Sequence, residues 1–152
     1  RKAIVDPGEL STDAYVRKWI SEEYTGLEFD KGDNTSFYAK NGIRVRSKSE
    51  VLIANALVDY KVPFKYECPL KVGGFYKYPD FTVLNVKTRK AFYWEHFGIM
   101  DDAGYVSSMM EKYRLYEKMG LVLGKDYIVT FESRHVPLST QSVENIIKRY
   151  LM

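Results

Sequence analysis

Two carboxylates on strand-like runs are the residues of this chain best placed to do chemistry. Asp80 sits in Tyr78-Pro79-Asp80-Phe81-Thr82-Val83, and Glu95 in Phe92-Tyr93-Trp94-Glu95-His96-Phe97-Gly98. Both runs are rich in β-branched and aromatic residues, and the stretch 85–90 between them is polar, so they read as a β-hairpin. One acid lies near the start of the first strand and the other near the end of the second. In an antiparallel pair those positions fall at the same end of the sheet. Two acids converging there among apolar side chains suit a divalent cation, Mg²⁺ or Mn²⁺, because such ions take oxygen ligands and Mg²⁺ needs only one or two carboxylates beside its waters. The competing reading leaves both acids solvated at strand ends, since Asp is depleted in strands and Pro-Asp marks turns. Glu95 weighs against it: between Trp94 and Phe97 an idle charge is costly to bury.

Further candidates surround this pair. Ser47-x-x-Glu50 matches a capping box, in which Glu50 reaches back to the cap residue's N–H. The run Arg44-Val45-Arg46-Ser47-Lys48 is basic, and Arg44, Arg46, Lys48 and Lys77 together would form a rim for phosphates, which position a nucleic acid without reading its sequence. Glu67 is either an exposed strand residue or a further acid reaching the same site. His96 points away from Glu95 by strand alternation and reads as a core-facing, hydrogen-bonded histidine. No Cys or His spacing matches zinc, no glycine-rich phosphate loop is present, and Ser-His-Asp catalysis has no positional support.

The elements that must position these residues follow from capping, periodicity and turn signals. Residues 1–10, with Asp6-Pro7-Gly8, read as an arm. Ser11 or Thr12 caps a helix to about Tyr24 whose apolar face is Tyr15, Val16, Trp19 and Ile20. A loop over 25–36 precedes a small hairpin over 37–45, with Asn41-Gly42 supplying the positive φ angles of its turn. A helix from Ser47 to about Tyr60 buries Leu52, Ile53, Ala56, Leu57 and Tyr60. A short strand over 64–69 and a Gly73-Gly74 turn lead into the Asp80–Glu95 hairpin. Asp101 or Asp102 caps a helix over about 103–119, closed by Gly120. A buried strand over 127–131 and a last helix capped by Ser139 or Thr140 complete the chain, with Val143, Ile146, Ile147 and Tyr150 facing in. The order from Ser47 onward, α-β-β-β-α-β-α, predicts an α/β fold with a central mixed sheet of about four strands flanked by helices. Residues 1–43 form an N-terminal arm, helix and hairpin extension, and 44–152 the core.

The runs 44–50, Tyr66-Glu67, 78–82 and Trp94-Glu95-His96-Phe97-Gly98 resemble the PD-(D/E)xK nuclease superfamily, with its restriction-endonuclease-like core. They are similar in particular to bacterial and phage nuclease-like domains, some fused to helicases, that carry Glu-His-Phe-Gly where others carry Glu-x-Lys. The resemblance spans about 44–150. It implies an Mg²⁺- or Mn²⁺-dependent deoxyribonuclease, more readily an endonuclease than an exonuclease, with Asp80 and Glu95 on the metal and Glu50, from the first core helix, assisting. It also implies a homodimer for double-strand cutting. The family's lysine lies two residues beyond the glutamate, where this chain has Phe97. Lys112, on the following helix, is the candidate replacement, with Lys48 and Lys77 as others. The alternatives are a catalytically inactive domain of the same fold that binds nucleic acid or protein, and an unrelated α/β domain whose acids cap and solvate. The last requires that the two acid-bearing strands not be neighbours.

The totals agree with one globular domain: 152 residues, 45% hydrophobic, 28% charged, net charge +3. Thirteen tyrosines fall mostly in strand-like or helical patterns and read as core. The single Cys68 excludes an internal disulfide framework and points to a reducing, cytoplasmic compartment. No apolar run reaches a membrane span and no signal-peptide pattern opens the chain. Because it opens on Arg1 rather than Met, a longer parent protein is expected.

Overall fold

Strand alternation and helix caps account for most of the architecture. The computed structural model describes residues 9–34 and 36–152; the arm expected over 1–10 lies outside them except for Glu9 and Leu10. In chain order the elements are α1 (Thr12–Ser21), β1 (Phe37–Tyr38), β2 (Arg44–Val45), α2 (Lys48–Asp59), β3 (Phe64–Tyr66), β4 (Leu70–Val72), β5 (Phe75–Lys77), β6 (Phe81–Asn85), β7 (Lys90–Phe97), α3 (Ala103–Lys118), β8 (Tyr127–Phe131) and α4 (Thr140–Tyr150). No helix among the described residues is long and apolar enough to cross a membrane.

The fold is mixed α/β. Its main sheet has four strands in the order β3-β6-β7-β8, with β3/β6 and β6/β7 antiparallel and β7/β8 parallel. A parallel neighbour needs a crossover of a dozen or more residues, and α3 supplies it. Cross-strand partners share a face, so the registers Phe81↔Trp94↔Ile128 and Val83↔Phe92 put five apolar side chains on one side. There Ile53 and Leu57 of α2 and Val143 and Ile147 of α4 join them in one core. The opposite face carries Tyr93↔Tyr127, Glu95↔Val129 and Phe97↔Phe131. It is covered by α3, whose Tyr116 packs edge-on against Tyr127 at 5.0 Å. Tyr116 is the one residue of α3 that is buried, so this side is the thinner layer.

Each core helix starts on a side chain that accepts an orphan amide: Ser47 from Glu50 N–H (3.2 Å), Asp102 from Tyr105 N–H (2.8 Å) and Ser139 from Ser142 N–H (3.1 Å). Gly120, at φ +81°, closes α3 in the left-handed conformation that costs glycine least.

Several expectations need correction. Helix α1 stops at Ser21 and none of its residues is buried; Tyr15 and Trp19 instead lie under the cations of Arg89 (4.8 Å) and Lys65 (4.4 Å). In the 37–45 hairpin only Gly42 takes a positive φ, +87°, following a turn closed by Gly42 N–H to Ala39 O. The boundary placed at 43/44 passes through this hairpin, since Phe37 pairs with Val45, and Ala39 and Val45 belong to the same core as α2 and α4. Strand β3 ends at Tyr66, β6 begins only at Phe81, and between them stands an unforeseen hairpin, β4–β5, forming its own two-stranded sheet. Of the tyrosines, only Tyr66, Tyr116 and Tyr127 are buried; most of the others border solvent.

Candidate functional site

Strands β6 and β7 are hydrogen-bonded neighbours, which the solvated-acid reading required them not to be. Asp80 directly precedes β6, and Phe81↔Trp94 sets it beside Glu95. The two acids clamp each other through the main chain. Glu95 Oε1 accepts from Asp80 N–H (3.1 Å), and Asp80 Oδ2 accepts from His96 N–H (2.7 Å). Glu95 is fully buried, while Asp80 keeps an edge toward solvent.

The third member arrives from α3. Lys112 Nζ lies 2.5 Å from Glu95 Oε2. The same ammonium stands 6.0 Å from the ring centre of Phe97, which stacks on Phe131 at 5.8 Å. Phe97 thus walls the space beneath a cation delivered by the helix. Beside it an apolar cavity of about 300 Å³ opens between α3 and β7/β8, lined by Met109, Tyr113, Tyr116 and Leu123 among others.

Glu50 occupies the first turn of α2 and is buried. Its Oε1 accepts from Arg46 N–H and from Tyr66 Oη–H, both at 2.8 Å. The expected capping box is therefore half made: Ser47 caps Glu50's amide, but Glu50 reaches back one residue beyond the cap.

Burial, then the negative charges of Glu95 and Glu50, hold the Asp80 carboxyl well above the ordinary aspartate range. Burial also raises Glu95, against the opposing pull of Lys112, and raises Glu50 against its hydrogen bonds from Tyr66 and Arg46. For Lys112 burial would lower the pKa, but the charges of Glu95 and Asp80 outweigh it and the net shift is upward. Tyr116 is raised by burial and by Glu95, yet its buried Oη makes no hydrogen bond of normal geometry. Acids repelling one another in a half-dry pocket, with an orphaned hydroxyl alongside, form an oxygen-rich environment that favours added positive charge. That donor chemistry fits a hard divalent cation. Among the described residues no three His, Cys, Asp or Glu side chains gather closely enough to hold an ion unaided, so water would complete any coordination.

No family model, curated protein or solved structure matches this chain.

The expected basic rim is divided. Arg46 forks onto Glu67, Nε to Oε2 at 2.6 Å and Nη2 to Oε1 at 3.0 Å, and stacks over Phe29. The Arg44 guanidinium also lies over Phe29, 4.2 Å from its ring centre. Lys48 and Lys77 are exposed. Glu67 is not an exposed strand residue: it follows β3 at φ +49° and is buried against Arg46.

His96 does turn away from Glu95. Its Nδ1 meets Thr130 Oγ1 (2.8 Å) and its Nε2 meets Glu132 Oε1 (2.7 Å). Glu132 also accepts from Ser49 Oγ and from Leu138 N–H (3.2 Å). This behind-the-sheet network ties α2, β7 and β8 together next to the Asp80 clamp. Sequence reasoning missed Glu132 and Tyr116, and noted Tyr66 only within the Tyr66-Glu67 run without a role. Only the position of Glu132 just past a buried strand hinted at such a role.

Proposed function

We propose that the chain is a metal-dependent nuclease domain with a restriction-endonuclease-like core, hydrolysing DNA phosphodiester bonds, endonucleolytically in preference. The observation that carries this reading is Lys112 seated on Glu95 while Glu95 and Asp80 are clamped together. An acid pair able to hold a divalent ion, with a cation beside it, suits the stabilisation of charge that develops in phosphoryl chemistry. The order of main-sheet strands and helices, α2-β3-β6-β7-α3-β8-α4 with the β4–β5 hairpin inserted after β3, supports it.

Asp80 and Glu95 would hold Mg²⁺ or Mn²⁺, with Glu50 assisting through its charge. When bound, the ion supplies Lewis-acid polarisation of the phosphate and an acidified water. The chain's own groups do the rest. His96 N–H fixes the Asp80 carboxylate, so that oxygen need not reorganise during reaction. Lys112 places positive charge where negative charge grows on the phosphate oxygens, taking the role of the lysine absent at 97. Lys48 and Lys77, both exposed, would hold flanking phosphates, whereas Arg46 is engaged by Glu67 and Arg44 lies over Phe29. Water oxygen bonds to phosphorus as the opposite phosphorus–oxygen ester bond breaks, the water giving up a proton to solvent and the leaving oxygen taking one from it.

One observation favours the inactive binding module instead: both oxygens of the fully buried Glu95 already accept from protein donors. Cleavage of an end-labelled DNA by the full chain separates the two. The nuclease reading expects Mn²⁺- or Mg²⁺-dependent products that Asp80→Ala and Glu95→Ala abolish; cleavage untouched by either substitution would sink it.

A further inference from the structure

Twelve residues, 68–79, lead from Glu67 to Asp80, and they contain two lysines and no acid. They fold as the β4–β5 hairpin, turned by Gly73 (φ +58°) and Gly74. A glycine with positive φ at the first turn position is the requirement of a tight type II′ hairpin. A Cβ added at either glycine would meet nothing within 4 Å, so the tip stands in open space. At that tip Phe75 is 68% and Tyr76 55% exposed. Lys71 lies directly across from Tyr76 on one face of the hairpin, and Lys77, two residues on from Phe75, shares the other face with it. Lys77 is three residues from Asp80, a reach of at most about 11 Å.

Two aromatic rings held out into solvent gain nothing for the core. Their backbone is fixed by a tight turn, so presenting them costs little further order. Lysines on both strands and the lack of any acid match a polyanion better than an apolar protein face. Aromatic side chains interleaved with cations are the elements with which proteins hold unpaired strands, the rings stacking on bases and the cations following the phosphates. We propose that the β4–β5 hairpin binds unpaired nucleic-acid bases through Phe75 and Tyr76 and presents the adjoining phosphate to Asp80. The choice of ligand rests on the nuclease reading above.

The test is fluorescence anisotropy of the full chain in EDTA, with labelled single strands of DNA and of RNA and with duplex DNA of the same sequence. The expected result is tighter binding of a single strand than of duplex. Phe75→Ala/Tyr76→Ala should weaken that binding about tenfold or more while duplex affinity moves by less than about twofold. Phe75→Trp/Tyr76→Trp should preserve it. Lys71→Ala/Lys77→Ala should weaken both ligands and flatten the salt dependence. The DNA and RNA arms tell which strand is held, and loss on either supports the hairpin's role. Unchanged single-strand affinity in the alanine variant, equal loss on duplex, or no single-strand binding by the wild type would each overturn it. The two proposals fail separately. A wild type that never cleaves but loses single-strand binding on Phe75→Ala/Tyr76→Ala refutes the nuclease alone. One that cleaves while the alanine variant binds normally refutes the hairpin alone.

Discussion

Replacing Lys112 by Met removes a cation whose partner has no access to water. Glu95 is 0% exposed while the Lys112 side chain is 35% exposed, and they meet at 2.5 Å. Two charges about 4 Å apart interact by roughly 4 kcal/mol at an effective dielectric of about 20. The solvent-reaching lysine screens much of that, and Glu95 can escape its unpaired state by taking a proton. A net loss of about 1–2 kcal/mol remains, or roughly 2–8 °C in Tm for a chain of this size. Glu95→Gln keeps the acceptor for Asp80 N–H and frees Lys112 to turn outward, so it should cost less. The assay is thermal and urea unfolding of wild type, Lys112→Met, Glu95→Gln and the double variant at pH 7. The double variant should recover about 1 kcal/mol relative to the sum of the singles. Additivity within about 0.5 kcal/mol would mean that the pair is not coupled. The pH dependence gives a second check. Burial raises the folded Glu95 pKa, so a protonated Glu95 favours the folded state. The Lys112→Met deficit should therefore shrink as pH falls toward about 4.3, the ordinary glutamate value.

Asp80→Asn should raise Tm at pH 7 by about 2–4 °C, the equivalent of roughly 1 kcal/mol, because burial and the charges of Glu95 and Glu50 make the ionised Asp80 a liability above the ordinary aspartate range. The same variant should lose any Mg²⁺- or Mn²⁺-induced rise in Tm; a destabilised Asp80→Asn would contradict the account of the site. Glu132 behaves oppositely. Burial pushes its pKa up, but hydrogen bonds from Ser49, His96 and Leu138 outweigh this and hold it below the ordinary value. Its contribution is present above about pH 4.3 and is lost as pH falls through the folded value. Glu132→Gln should flatten the acid limb of a stability–pH curve and cost about 1–3 kcal/mol at pH 7 for the donors it leaves poorly matched; an unchanged acid limb would refute the assignment.

What was legible in the sequence is what local rules govern. Ser47, Asp102 and Ser139 announce their helices because capping depends on a few consecutive residues. Strand alternation alone sets His96 and Glu95 of β7 on opposite faces, as their partners Thr130 and Val129 on β8 show. What was not legible depends on distant partners. Glu67 looked exposed because nothing nearby reveals Arg46 folding back over it. Glu132 and Ser49 meet across 83 residues of chain. Strands β4 and β5, three residues each, are too short to establish a period. The aromatic face of α1 had the right spacing for burial, but cations cover it instead of a core.

The most direct measurement is nicking of supercoiled plasmid by wild type and Asp80→Asn, both shown to be folded, in Mg²⁺, Mn²⁺ and EDTA. The account predicts open-circular product with wild type in either metal, none in EDTA, and none with Asp80→Asn. Intact plasmid in every lane of a folded wild type, or nicking that Asp80→Asn retains, would contradict it.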